Sequence, residues 1–177
     1  GGADILRGFA AAYVESNNLI IGTVPSSIHA TDADENNAFG IQALDKITTG
    51  DNNIAIGFQA SRETTTGGQN VSLGRQALYS NTTGSYNVAL GDQAMVYTGD
   101  GTSSPTGGVA IGYQAGKYPE GSYNTFVGYS AGRGATATRT SNLNTAMGRE
   151  AMSATLSDTE NVALGAGAME LSTASHL

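Results

Sequence analysis

The chain has 177 residues, one domain by length, and a net charge of −7 with 8 Lys and Arg that form no cluster, which excludes sequence-independent binding to a nucleic-acid backbone. It has no Cys, which excludes a disulfide framework and thiolate metal sites. Gly 25, no Trp and only 7% aromatic residues depart from an ordinary globular composition, and no stretch approaches the roughly 18 to 20 apolar residues of a membrane span, so no membrane insertion is expected.

Residues 1–16 stand outside any repeat. Ile5, Leu6, Phe9 and Tyr13 fall at helical spacing, with Gly8 against it. This lead-in is expected to be a short capping helix or a strand leading into the repeats. Residues 17–35 hold a degenerate copy, Asn18-Leu19-Ile20-Ile21-Gly22, and then an acidic loop over 31–36. Its carboxylates lack the spacing of a calcium loop of about twelve residues and read as a solvated turn.

From residue 36 onward one unit recurs. Asn53-Ile54-Ala55-Ile56-Gly57 returns from Asn70 to Gly74, Asn87 to Gly91, Gly108 to Gly112, Asn124 to Gly128, Asn144 to Gly148 and Asn161 to Gly165, and Asn36 to Gly40 also fits. The shared Gly falls at 22, 40, 57, 74, 91, 112, 128, 148 and 165, with spacings of 18, 17, 17, 17, 21, 16, 20 and 17. Nine copies at a near-constant period mean a repeat solenoid over 17–171. Seventeen residues broken by two or three glycines are too short for a helical repeat, so the unit is β. With strands stacked about 4.8 Å apart, nine coils extend roughly 43 Å. Equivalent Asn side chains are expected to stack in a ladder.

Within the strand, Ile54 and Ile56 point one way and Asn53, Ala55 and Gly57 the other. The sizeable aliphatic residues, with Ala and an occasional Leu78, Met95, Met152 or Met169, are read as a thin core. The small face opposite is read as the surface that lets other chains approach. Thr48-Thr49-Gly50, Thr65-Thr66-Gly67 and Thr82-Thr83-Gly84 mark a corner where Gly is expected to supply positive φ. Two insertions, in 95–107 and 132–140, bulge as loops that either form a contact face or are drift in an unconstrained turn. A coil this thin buries little against the entropy of ordering its backbone, so side-by-side association into a closed oligomer is expected.

The Asn-x-Ala-apolar-Gly-x-x-Ala pattern resembles the Hep/Hag repeat of trimeric autotransporter adhesin heads. The longer form from Gln76 to Gly91 is more similar to repeats of bacteriophage tail fibres and other virion fibres. The resemblance covers roughly 17–171. It implies an all-β, left-handed parallel β-solenoid of about nine coils that forms a parallel homotrimer. It also implies a structural and adhesive role on a virion or, alternatively, on a bacterial cell surface. The partners implied are adjoining fibre segments and a host cell-surface receptor, saccharide or outer-membrane protein. The period of 17 or more, and the lack of heptads and membrane anchor in the chain, favour the phage fibre. Some such fibres are followed by a cleaved intramolecular chaperone, and residues 172–177 read as a tail or cleavage boundary.

No catalytic constellation stands out, and no cofactor or metal is expected. The hexapeptide unit of acyltransferases is matched once per coil, as at Ile56-Gly57-Phe58-Gln59-Ala60-Ser61, where about three per coil are needed; the only histidines, His29 and His176, lie outside the repeat body. A flat ice-binding array is disfavoured because the threonines sit at turns and fade after the third clear coil. Tyr97, Tyr113, Tyr118, Tyr123 and Tyr129 are candidate receptor contacts, with packing across the oligomer or over the thin core as the alternative. Asn53, Asn70, Asn87, Asn124, Asn144 and Asn161, with Gly57, Gly74, Gly91, Gly112, Gly128, Gly148 and Gly165, are the structural residues of the repeat.

Overall fold

The computed structural model describes residues 12–15, 17–22, 33–96, 104–118, 121–134, 142–153 and 159–170. The strands are β1 (Ala12–Glu15), β2 (Asn18–Gly22), β3 (Asn37–Gly40), β4 (Ile54–Ile56), β5 (Val71–Leu73), β6 (Val88–Leu90), β7 (Val109–Ile111), β8 (Thr125–Val127), β9 (Thr145–Met147) and β10 (Val162–Leu164). All belong to one sheet in chain order. From β2 to β10 the pairing is parallel and equivalent residues face each other, as Ile54 faces Val71, Ala55 faces Ser72 and Ile56 faces Leu73. The chain therefore returns once per repeat copy, and the fold is a parallel β-solenoid. β1 runs antiparallel to β2, with Ala12 opposite Ile21 and Glu15 opposite Asn18, and covers the edge of the first rung. Ile5, Leu6, Phe9, His29, Tyr97, His176, the tail and residues 97–103 and 135–141 lie outside the described residues.

The shared Gly is required twice over. Gly57, Gly74, Gly91, Gly112, Gly128 and Gly148 have φ between 130° and 136°, a region that side chains rarely adopt. A Cβ on Gly74 would also lie 2.4 Å from the carbonyl oxygen of Gly91 on the next rung. At the threonine corners the reason for Gly differs from the expected one. Gly50, Gly67 and Gly84 do not adopt positive φ. They are small because a Cβ on Gly67 would sit 2.4 Å from Gly84 O. The left-handed corner positions belong instead to non-glycine residues such as Asn52, Gln59 and Ser61, at φ 60°, 58° and 49°.

The asparagines form the expected ladder, inside the coil. Asn70 Nδ2 donates to Asn53 Oδ1 at 3.0 Å and to Gly84 O at 2.9 Å. Its Oδ1 accepts from the N–H and the Nδ2 of Asn87, both at 3.0 Å. Four bonds satisfy the buried amide, so its burial carries no desolvation penalty left unmet. At Gly108, where Asn is missing, the Met95 methyl takes the space, 2.7 Å from where a Cβ would stand.

The two strand faces are the reverse of the sequence reading. Ala38, Ala55, Ala89, Ala110, Ala146 and Ala163 are buried, whereas Ile54 and Ile56 are each 40% exposed. The interior is too narrow for larger groups at this position, because Ala43, Ala60, Ala77, Ala94 and Ala115 line it as well. Leu44, Leu78, Met95 and Met152 do enter the core, from the left-handed corner. Two coils depart in size: in the first rung Ile20, in register with Ala38, is fully buried, and the other is the coil of Phe126. Phe126 replaces Ala, and its ring occupies space left by Gly116 and Gly132, where a Cβ would lie 2.9 and 2.2 Å from it. Another departs in polarity: Ser72 replaces Ala and accepts a 2.8 Å hydrogen bond from Ser61, which stands where Leu44, Leu78, Met95 and Met152 stand in their coils.

Gly74→Ala is expected to cost roughly 3 kcal/mol or more, combining positive-φ strain with overpacking. Gly165→Ala, with nothing within 4 Å of its Cβ position, keeps only the strain and costs less. Urea unfolding followed by circular dichroism distinguishes the two, and equal costs would show that rung contact is not what demands Gly.

Candidate interaction surfaces

Because the interior takes Ala and Asn, the larger apolar residues are directed outward. The two outward positions of each strand form two columns along the sheet. Phe39, Ile54, Ile56, Leu73, Ile111, Met147, Val162 and Leu164 are exposed there, and Val71, Val88, Leu90, Val109 and Val127 are half-buried. In-register pairing places them side by side from β3 to β10. The column from Phe39 to Leu164 is apolar at every rung, whereas Asn37, Thr125 and Thr145 interrupt the other; the resulting stripe lies opposite the small-residue face that the sequence pointed to for chain contacts.

One edge of the stripe is the column just after the shared Gly. It begins with Ile41 and Phe58, continues with Arg75 and Asp92, and then reaches Tyr113 and Tyr129. Arg75 and Asp92 form a two-pronged ion pair, Nε to Oδ2 and Nη2 to Oδ1, both 3.1 Å. The rings of Tyr113 and Tyr129 stack with centroids 5.2 Å apart and planes at 22°. Beneath this column the Gln side chains form a second ladder, as Gln59 Nε2 donates to Gln42 Oε1 at 2.7 Å and Gln114 Nε2 to Gln93 Oε1 at 2.8 Å.

The other edge is the left-handed corner just before the ladder Asn. Tyr86 is 61% exposed and Tyr123 is 60% exposed. They stand on either side of Gly107, and Tyr123 lies on that glycine, its ring carbon 2.8 Å from where a Cβ would be. The candidate tyrosines thus divide: Tyr113 with Tyr129 on one edge and Tyr123 on the other. Tyr118 is half-buried beside Lys117, whose Nζ is 5.4 Å from the ring centre, and Tyr97 lies outside the described residues. Tyr86 was missed in the sequence reading, although Ser85-Tyr86-Asn87 and Ser122-Tyr123-Asn124 repeat the same three residues at the same register.

A further side of the coil carries charge. Arg62 donates to Tyr79 Oη at 2.9 Å and to Glu63 Oε1 at 2.6 Å, and its Nε lies 3.6 Å from Asp45. Burial works to lower its pKa, but the hydrogen bond and charge of Tyr79, with Glu63 and Asp45, outweigh that and hold it above the ordinary value. No group of three or more metal-ligating side chains occurs among the described residues, and no helix there is long and apolar enough to cross a membrane. Compared with models of known protein families, with curated proteins and with solved structures, the chain matches none.

The Tyr113–Tyr129 stack is expected to contribute about 0.5–1.5 kcal/mol. In a double-mutant cycle of Tyr113→Ala and Tyr129→Ala, urea unfolding is expected to give a coupling energy of that size. Additive single costs would mean that the rings do not support each other.

Proposed function

We propose that this solenoid is a structural and adhesive segment of a trimeric fibre, in a bacteriophage tail fibre or another virion fibre. The observation that carries the reading is the aliphatic stripe along the sheet. An apolar surface running the length of a rod is more than a soluble monomer ordinarily leaves exposed, and it marks a protein contact. Parallel copies turned about a common axis present the same side chains at the same height. The stripe of each is then covered in a closed ring, which the repeat's resemblance puts at three chains. The role is mechanical: stiffness, spacing and display, with no cofactor and no catalysis.

The edges of the stripe are where receptor contact is expected. Tyr86 and Tyr123 on one side, and Tyr113 and Tyr129 on the other, are rigid side chains with a polar tip, suited to saccharide or to an outer-membrane protein of the host. The head of a bacterial trimeric autotransporter adhesin is the second reading, supported by the Asn-x-Ala-apolar-Gly frame.

Light scattering on a sizing column is expected to give a mass near three times the 17.9 kDa chain, unchanged on dilution. Leu73→Lys, on the stripe and 49% exposed, is expected to shift it to one chain while the circular dichroism spectrum stays that of the solenoid. A parent protein of single-chain mass would sink the fibre and adhesin readings together. Saturable binding of acetyl-coenzyme A in calorimetry would instead favour a hexapeptide-repeat acyltransferase.

A further inference from the structure

The corner that carries Tyr86 and Tyr123 has a second column beside it, made by the residue before each tyrosine and its equivalents in other rungs. There the side chain of one rung accepts the main-chain N–H of the rung before. Ser85 Oγ accepts from Gly68 at 3.1 Å, Thr106 Oγ1 from Ser85 at 3.5 Å, Ser122 Oγ from Thr106 at 3.1 Å and Asn142 Oδ1 from Ser122 at 2.7 Å. A hydroxyl that accepts in this way still has a proton to donate. Among the described residues nothing takes the protons of Ser85, Thr106 and Ser122, and all three residues are only half-buried. Three hydroxyl donors thus stand on consecutive rungs, about 4.8 Å apart.

The tyrosine column runs alongside. Tyr86 and Tyr123 are well exposed, and Tyr123 lies over Gly107, the residue without a side chain between them. The backbone under both columns is fixed. The N–H groups of Tyr86, Gly107 and Tyr123 donate to the carbonyls of Gly68, Ser85 and Thr106 at 3.1, 2.9 and 2.9 Å. From Gly68 to Leu143 the two columns carry no charged side chain, whereas Asp34, Glu35 and Asp51 lie beyond one end and Glu160 beyond the other.

We infer that this corner is a binding site for a neutral saccharide of about two or three sugar residues, laid along three rungs. The inference rests on the adhesive reading above and assigns the receptor contact to this edge of the stripe. The C–H face of a sugar ring packs on the tyrosine rings, which are rigid and apolar on their faces. Sugar oxygens accept the protons of Ser85, Thr106 and Ser122. The rung interval is close to the length of one residue in an extended sugar chain, so successive donors meet successive residues. The acidic side chains at both ends, with the net charge of −7, act against an anionic glycan. A protein strand is a poor occupant, because the main-chain N–H groups of Tyr86, Gly107 and Tyr123 are already engaged.

The test applies the whole chain to a printed array of defined neutral and acidic glycans, and then titrates the neutral glycan of strongest signal in calorimetry. Tyr86→Ala and Tyr123→Ala are each expected to weaken binding by roughly tenfold or more. Both side chains are exposed, so the circular dichroism spectrum and the mass should stay those of the parent. Absence of binding to any neutral glycan would overturn the inference, as would binding confined to acidic ones. Full affinity in both variants, with the loss falling on Tyr113→Ala instead, would overturn it too by moving the contact to the opposite edge. The mass measurement is independent. A three-chain protein that binds no glycan rejects this inference alone, and a single chain that binds through Tyr86 and Tyr123 keeps the site and rejects the fibre reading.

Discussion

The close approach of successive rungs at the shared glycine governs everything else in the molecule. A rung spacing of about 4.8 Å leaves no room for a Cβ there, and the coil closes around an interior that from β3 onward takes mostly Ala and the amide of Asn from the strand, with Leu or Met entering from the corner. Each excluded group has to go somewhere. The Asn amides are kept because a rung above and a rung below supply four hydrogen bonds, as for Asn70. The aliphatic side chains are kept by pointing outward. The apolar face that the fibre reading depends on is thus the direct result of a narrow coil, and a wider one would have buried it.

This inversion marks where the sequence was readable and where it was not. The period, the strand positions, the parallel stacking and the Asn ladder all follow from the spacing of Asn and Gly. Alternation along the strand also separated Ile54 and Ile56 from Ala55 correctly. It did not say which set faces inward, and the usual preference of large apolar residues for the interior pointed the wrong way. Only the dimensions of the closed coil decide that question. The corner glycines were misread for a related cause. Gly50 and Gly67 are small because of what lies over them on the next rung, which is a tertiary fact, while left-handed φ falls on Asn, Gln, Ser, Leu and even Tyr.

The candidate surface was legible to about the same depth. Tyr113 and Tyr129 each follow the shared Gly, so their common column can be read by aligning the copies. That their rings stack needs the rise between unequal coils. Tyr86 and Tyr123 share a position in the same way. Grouping tyrosines by nearness in sequence, from 97 to 129, mixed residues of different sides of the coil. In a solenoid, position within the repeat predicts neighbourhood better than distance along the chain.

Near-identical rungs carry a hazard of their own, because a strand that pairs one coil too early or too late would still find a Gly over a Gly and an Asn over an Asn. The size and polarity exceptions in the core remove that degeneracy. Phe126 fits only where Gly116 and Gly132 leave room for it. Met95 fits under Gly108 and not under an Asn, and Ser72 has its side-chain partner in Ser61. Shifted by one coil, Phe126 would lie against Met152 or Met95 and Ser72 would lose its partner, so the irregular residues act as index marks on an otherwise uniform ruler. A chain of perfect repeats would hold its rungs equally well and have no way to count them.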